Sequence, residues 1–327
     1  MTLLKKGERC TNFLVTRMKN KKVLLVDVDS KIPNLALMKL SAYHKSKGDE
    51  VGFNVNDPDK VYASIIFKKH AISPIMLRLQ YPDAEVVIGG CGQDLSLTLP
   101  DEVEYIKPDY TLYDMDYSMG FTTRGCIRNC YFCIVPKKEG MIRINQHPKE
   151  FHDERFNKII MLDNNILAKP NWFFEITDWF IKNDLKIDFN QGMDIRLLTK
   201  DIAERLYELK RESTWKFAFD SIESKKEVIR GIDLLKDAGI NTKQHLSFYV
   251  YCHDNSMFEE ALERCNILRE RRCNSFVMFN IDNNDRSHHV RNLQRWANRR
   301  FAYWRGTFDE YVNTLSIERR GLNEIVK

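Results

Sequence analysis

The chain has 327 residues, 43% hydrophobic and 30% charged, with a net charge of +5. That is enough apolar material for one large core or two to three small ones, and it excludes a disordered chain. No stretch approaches the ~20 uninterrupted apolar residues of a membrane helix. The start, MTLLKKGERC, lacks the apolar segment and cleavage site of a signal peptide, so a cytoplasmic protein is expected.

Residues 1–20 show no periodicity and read as an arm. Residues 21–27 (KKVLLVD) form an apolar run typical of a buried parallel strand. Residues 34–47 place Leu35, Leu37, Met38, Leu40 and Ala42 on one helical stripe, ending at Gly48. Strand patterns follow at 61–67 and 84–88, with a helix at 72–80 between them. Strand and helix thus alternate at short spacing, which predicts a doubly wound, Rossmann-like α/β domain over 21–116.

Residues 108–120, rich in Tyr and Asp, read as a linker. Beyond them strand patterns recur at 158–162, 186–189, 215–219, 246–251 and 275–281. Helical patterns occupy 172–181, 200–210, 225–238 and 257–271. A strand followed each time by a helix predicts a parallel barrel or partial barrel over 117–285. Residues 286–327 read as a basic helical tail, with nine Lys/Arg against four Asp/Glu. Its interleaved aromatics suit either a clamp on nucleic acid or a helical cap with Trp and Phe turned inward, and the cap is preferred.

The chain contains eight cysteines. In a cytosolic chain of this size they are not a disulfide framework. Cys126, Cys130 and Cys133 stand in C-x3-C-x2-C spacing, which can set three thiolates on three corners of an iron-sulfur cubane and leave the fourth iron open. The rival is a zinc knuckle completed by His147 or His152, in a non-catalytic nucleic-acid-binding protein; the three-residue gap is unusual for zinc. Cys252, Cys265 and Cys273 match no cluster spacing and read as core.

This motif, with Phe132 just before the last cysteine and the lead MGFTTRGC, resembles the radical S-adenosylmethionine (SAM) superfamily. The resemblance implies a partial (β/α)6 TIM-like barrel holding a 4Fe-4S cluster on Cys126, Cys130 and Cys133. It implies SAM on the open iron, and one electron from a donor such as flavodoxin or ferredoxin. Reductive cleavage then gives a 5′-deoxyadenosyl radical that abstracts hydrogen from substrate. SAM would lie across the strand ends, near Phe132 and the polar residues that follow the strands: Asp163, Asn164 and Asn165; Gln191, Asp194 and Arg196; Asp220, Ser221 and Glu223; and Asn280. Read singly, each Asp, Asn or Ser there serves equally as a helix cap or turn residue.

Residues 21–116 are similar to the cobalamin-binding domain that precedes the barrel in one radical SAM class, through KVLLVD, LMKLSAYHKSKGDEV, PDAEVVIGG and LPDEV. The D-x-H-x-x-G motif that would ligate cobalt from below is absent. A structural or substrate-binding role for this domain is therefore preferred, with a cobalamin-dependent methyltransferase as the alternative.

Overall fold

Val23, Leu24 and Leu25 are buried on both faces of β1 (Lys22–Asp27), as a continuous apolar run requires of a central parallel strand. In the computed structural model, which describes residues 20–70, 74–279 and 287–315, β1 is followed by α1 (Leu35–Ser46), β2 (Glu50–Gly52), β3 (Lys60–Ser64), α2 (Pro74–Gln80), β4 (Glu85–Gly89) and α3 (Asp101–Glu104). The four strands form one parallel sheet in the order β2-β1-β3-β4. Helix α1 begins where the Asn34 side chain accepts from the Leu37 amide. Strand β3 stops short of the expected residue 67, because the Ile66 and Phe67 amides donate to the Asp29 carboxylate at 2.7 and 2.9 Å. The stretch read as a linker is a packed seam. Tyr110 is buried and its hydroxyl donates to the Phe151 carbonyl at 2.6 Å, while Ser41 Oγ donates to Asp109 at 2.6 Å.

A second series follows: β5 (Ser118–Gly120), β6 (Thr123–Arg124), α4 (Val135–Lys138), β7 (Arg143–Ile144), α5 (Pro148–Phe151), β8 (Lys158–Met161), α6 (Pro170–Lys182) and β9 (Lys186–Phe189). It continues with α7 (Lys200–Glu208), β10 (Trp215–Ala218), α8 (Lys225–Asp237), α9 (Thr242–His245), β11 (Leu246–Cys252), α10 (Phe258–Glu270), β12 (Asn274–Phe279), α11 (His288–Ala297) and α12 (Arg300–Arg305). Strands β5-β8-β9 and β10-β11-β12 form two parallel sheets, and the parallel bridges Ile187–Arg211 and Met193–Phe217 join them. Strands β6 and β7 pair antiparallel as a hairpin. The fold is thus mixed α/β with parallel sheets.

Alternation sets the layers. Ile159, Met161, Ile187, Phe189, Trp215, Phe217, Phe248, Val250 and Val277 turn to one face and meet the helices in one continuous core. Cys252, Cys265 and Cys273 lie within that core, and burial pushes their thiols up to about 11, 12 and 12. They are packing residues. Among the described residues no helix is long and apolar enough to cross a membrane.

The described part of the tail docks as helices, with Trp296, Tyr303 and Phe308 buried. The Tyr303 hydroxyl donates to the Cys265 carbonyl of α10 at 2.7 Å, and Gln294 and Asn298 of the α11 end bond the Val277 backbone of β12. The tail therefore extends the helical layer behind β12. Of its aromatics Phe301, 78% exposed, faces water. Trp296→Ala should cost about 3–5 kcal/mol in urea unfolding, the range for emptying a large aromatic site. Phe301→Ala should stay within about 0.5 kcal/mol. Equal costs would contradict this assignment of inside and outside.

Candidate functional site

The cysteine loop leaves β6 through Gly125 and returns through α4 to β7. Gly125 has φ +84°, and a Cβ there would lie 2.5 Å from the Met141 carbonyl oxygen, so only glycine fits. The Cys126 amide donates to the Gly140 carbonyl at 3.2 Å, and the Cys133 amide to the Cys130 carbonyl at 3.0 Å. The three thiols are free and half-buried. Donors are aimed at two of the sulfurs: the Arg128 amide at Cys126 Sγ (3.3 Å), Asn165 Nδ2 at the same sulfur (3.4 Å), and the Val135 amide at Cys133 Sγ (3.5 Å). Such N–H groups stabilise a ligating thiolate and tune the group it holds. Burial, then the neighbouring Cys133 and Asp220 charges, raise the Cys130 thiol, and Arg196 opposes them. Burial raises Cys133 likewise.

From Thr122 to Phe132 the chain passes over successive strand ends in order. At the end of β8, Asp163 Oδ1 accepts from the Thr122 amide and hydroxyl (3.1 and 2.7 Å) and from the Thr123 hydroxyl (2.6 Å) and amide. The next residue, Asn164, accepts from the Gly125 amide at 3.1 Å, and Asn165 reaches Cys126. After β9, Asp194 takes Arg128 Nε at 2.8 Å, with Arg128 lying between the first two cysteines. At β10 stands Asp220, whose charge acts on Cys130 and Cys133. At β11, Tyr251 stacks on Phe132 with centroids 4.1 Å apart and planes 22° apart.

The structure thus gathers most of the expected residues, several of them in roles other than those expected. Asp163 is buried and grips the polypeptide leading into the loop. Arg196 is already engaged, with Nε on Asp194 Oδ1 at 2.6 Å and Nη2 on Oδ2 at 3.1 Å. Burial alone would raise Asp194, but the Arg196 and Arg128 hydrogen bonds and charges outweigh it and hold the carboxyl below its ordinary value. Desolvation pushes the carboxyl of the half-buried Asp220 up to about 6 although it accepts from the Tyr251 amide at 3.0 Å. Ser221 caps the short turn that follows and Glu223 is exposed on it. Gln191 is exposed at the end of β9, beside Gly192, whose φ of +88° lets the Tyr249 ring pack within 3.0 Å of where a Cβ would sit. Asn280 lies outside the described residues.

Arg128, Tyr251 and Arg264 escape a sequence reading. Arg264 on α10 is fully buried and donates to the Phe219 and Tyr251 carbonyls at 2.7 and 2.9 Å, tying the ends of β10 and β11 together. The only local sign was its place four residues after Glu260, with which it pairs at 3.3 Å.

Among the described residues no group of three His, Cys, Asp or Glu side chains gathers where a metal ion could sit. His147 and His152 belong to α5 and its end. His147 Nδ1 accepts from the Lys149 amide, His152 Nδ1 meets Ser118 Oγ at 3.0 Å, and both rings pack edge-on against Trp179. A cavity of about 1120 Å³ runs along α1, β3 and residues 97–105, and reaches Arg124, Lys138 and Glu139 beside the cysteine loop. His44 is held by Asp49 at 2.7 Å and Tyr62 at 3.3 Å, and His70 by Asp29 at 3.0 Å. No protein-family model matches the chain, and no curated protein matches it.

Asp220 generates a pH prediction. Its folded value, near 6, lies above the ordinary 3.8, so the fold favours the protonated form. Its contribution is fully favourable below pH 3.8 and is lost as pH rises through 6. Asp220→Asn should therefore stabilise the metal-free protein by about 1–3 kcal/mol at pH 8 and by little at pH 4. Urea unfolding at both pH values checks this, and an equal change at both contradicts it.

Proposed function

We propose that this chain is a radical SAM enzyme, built as a Rossmann-like domain followed by a partial TIM-like barrel and holding a 4Fe-4S cluster on Cys126, Cys130 and Cys133. The observation that supports it best is the passage of the C-x3-C-x2-C loop across the ends of β8, β9, β10 and β11. In a parallel barrel that is the face where loops assemble active sites. When bound, a cluster with three protein thiolates and one open iron supplies the electron for reductive cleavage of SAM, and hence hydrogen abstraction.

The chain's own groups prepare that chemistry. The Arg128 and Val135 amides and Asn165 Nδ2 hold two of the sulfurs in place. The Phe132–Tyr251 stack closes the loop's third-cysteine end against β11 and excludes water there. Asp220 carries the acceptor best placed for a cationic amino group or a ribose hydroxyl, with Ser221 and Gln191 at the same strand ends. Arg196, neutralised by Asp194, fixes the β9 end and acts on the site through its residual field. The electron comes from a small carrier such as flavodoxin or ferredoxin. The substrate is of a class that a hydrogen-abstracting radical modifies.

Anaerobic reconstitution tests the reading. The protein should take up about four iron and four sulfide per chain and cleave SAM to 5′-deoxyadenosine under dithionite, and Cys130→Ala should reduce cleavage to background. One zinc per chain without cleavage, or an active Cys130→Ala variant, contradicts it.

A further inference from the structure

The cysteine loop is also gripped by α1, α3 and the segment that follows β4. Arg124, two residues before Cys126, forks between two carboxylates: Nη2 meets Glu104 of α3 and Nη1 meets Glu139 at 3.1 Å. Glu139 directly follows α4, on the far side of the third cysteine. Glu104 in turn accepts Lys39 of α1, 3.2 Å away, and the Lys39 side chain is 4% exposed. The result is an alternating chain, Lys39–Glu104–Arg124–Glu139, which Arg143 extends at Glu139, 3.8 Å away. The Arg124 guanidinium lies 3.7 Å from the centre of the Phe121 ring. The segment after β4 reaches this region twice more. Lys138 Nζ donates to the Leu95 and Leu97 carbonyls at 3.3 and 3.2 Å, and Gln146 Nε2 donates to the Tyr105 carbonyl at 3.1 Å.

Burying four charges costs free energy that apolar packing of the same volume would not. What the arrangement supplies instead is geometry, because one planar fork ties the two ends of the loop to each other and to α3. We propose that Lys39 and Glu104 are positioning residues for the cysteine loop, acting through Arg124 and Glu139, so that the N-terminal domain sets the spacing of the three thiols before any metal arrives. The identity of the metal group rests on the radical SAM reading; the bracing does not.

The full-length, metal-free protein is the sample. Alkylation rates of Cys126, Cys130 and Cys133, and hydrogen exchange over residues 124–144, are compared for wild type, Glu104→Gln, Arg124→Lys and Glu85→Gln. The last removes the exposed charge of the Lys60–Glu85 pair, which bridges β3 and β4. Glu104→Gln and Arg124→Lys should open the loop, with roughly ten-fold faster alkylation and exchange confined to 124–144, as expected when a buried charge-assisted contact is lost locally. Glu85→Gln should match wild type. Wild-type rates in Glu104→Gln overturn the proposal, as does loosening spread over the whole chain in both loop-bracing variants. After reconstitution, the electron paramagnetic resonance change that SAM induces in the wild type should be altered in Glu104→Gln. Failure of the wild type to load iron counts against the radical SAM reading alone, and the metal-free rates still decide the bracing.

Discussion

One buried carboxylate oxygen organises the site. Asp163 Oδ1 accepts from the amides and hydroxyls of both Thr122 and Thr123, while Oδ2 is buried with no hydrogen-bond partner among the described residues. Burial raises this carboxyl, and the threonine hydrogen bonds offset part of that cost. Because Asp163 ends β8 and Thr123 begins β6, this contact fixes where the chain turns out of the parallel sheet. Asn164 on Gly125 and Asn165 on Cys126 then follow with no slack. Three consecutive residues thereby set the backbone direction, the left-handed glycine and the first thiol.

The remaining contacts extend this register around the strand ends. Two guanidiniums hold Asp194 below its ordinary value; desolvation raises Asp220, which holds its proton more tightly. Neighbouring carboxylates with opposite shifts are what a site needs to hold charge at one point and exchange a proton at another. The buried Arg264 keeps β10 and β11 aligned, so that Asp220 and Tyr251 stand at one level. On the outer side the Arg124 fork closes the base of the loop.

Much of the framework was legible in the sequence because it rests on short-range pattern. The runs that became β8, β9 and β10 announce themselves by buried apolar residues at alternate positions, and Asp, Asn and Ser after them mark strand ends. The cysteine spacing is equally local. What escaped is either too short or too distant. Strands β2, β5, β6 and β7 have two or three residues each, which cannot display a period. Arg128–Asp194 spans 66 residues, Arg124–Glu104 20 and Arg264–Phe219 45, and no local signal pairs them. The tail illustrates the same limit: its aromatics were visible, but whether they faced water or the core was set by Cys265 and Val277, far off in sequence.

In the proposed function three thiols are held so that a fourth iron stays open to SAM at these strand ends. Electron–nuclear double resonance of the dithionite-reduced, reconstituted protein with SAM labelled at its amino nitrogen tests this. A resolved coupling between the cluster's unpaired electron and the labelled nitrogen is expected. A fully loaded cluster that shows no coupling to the label would contradict it.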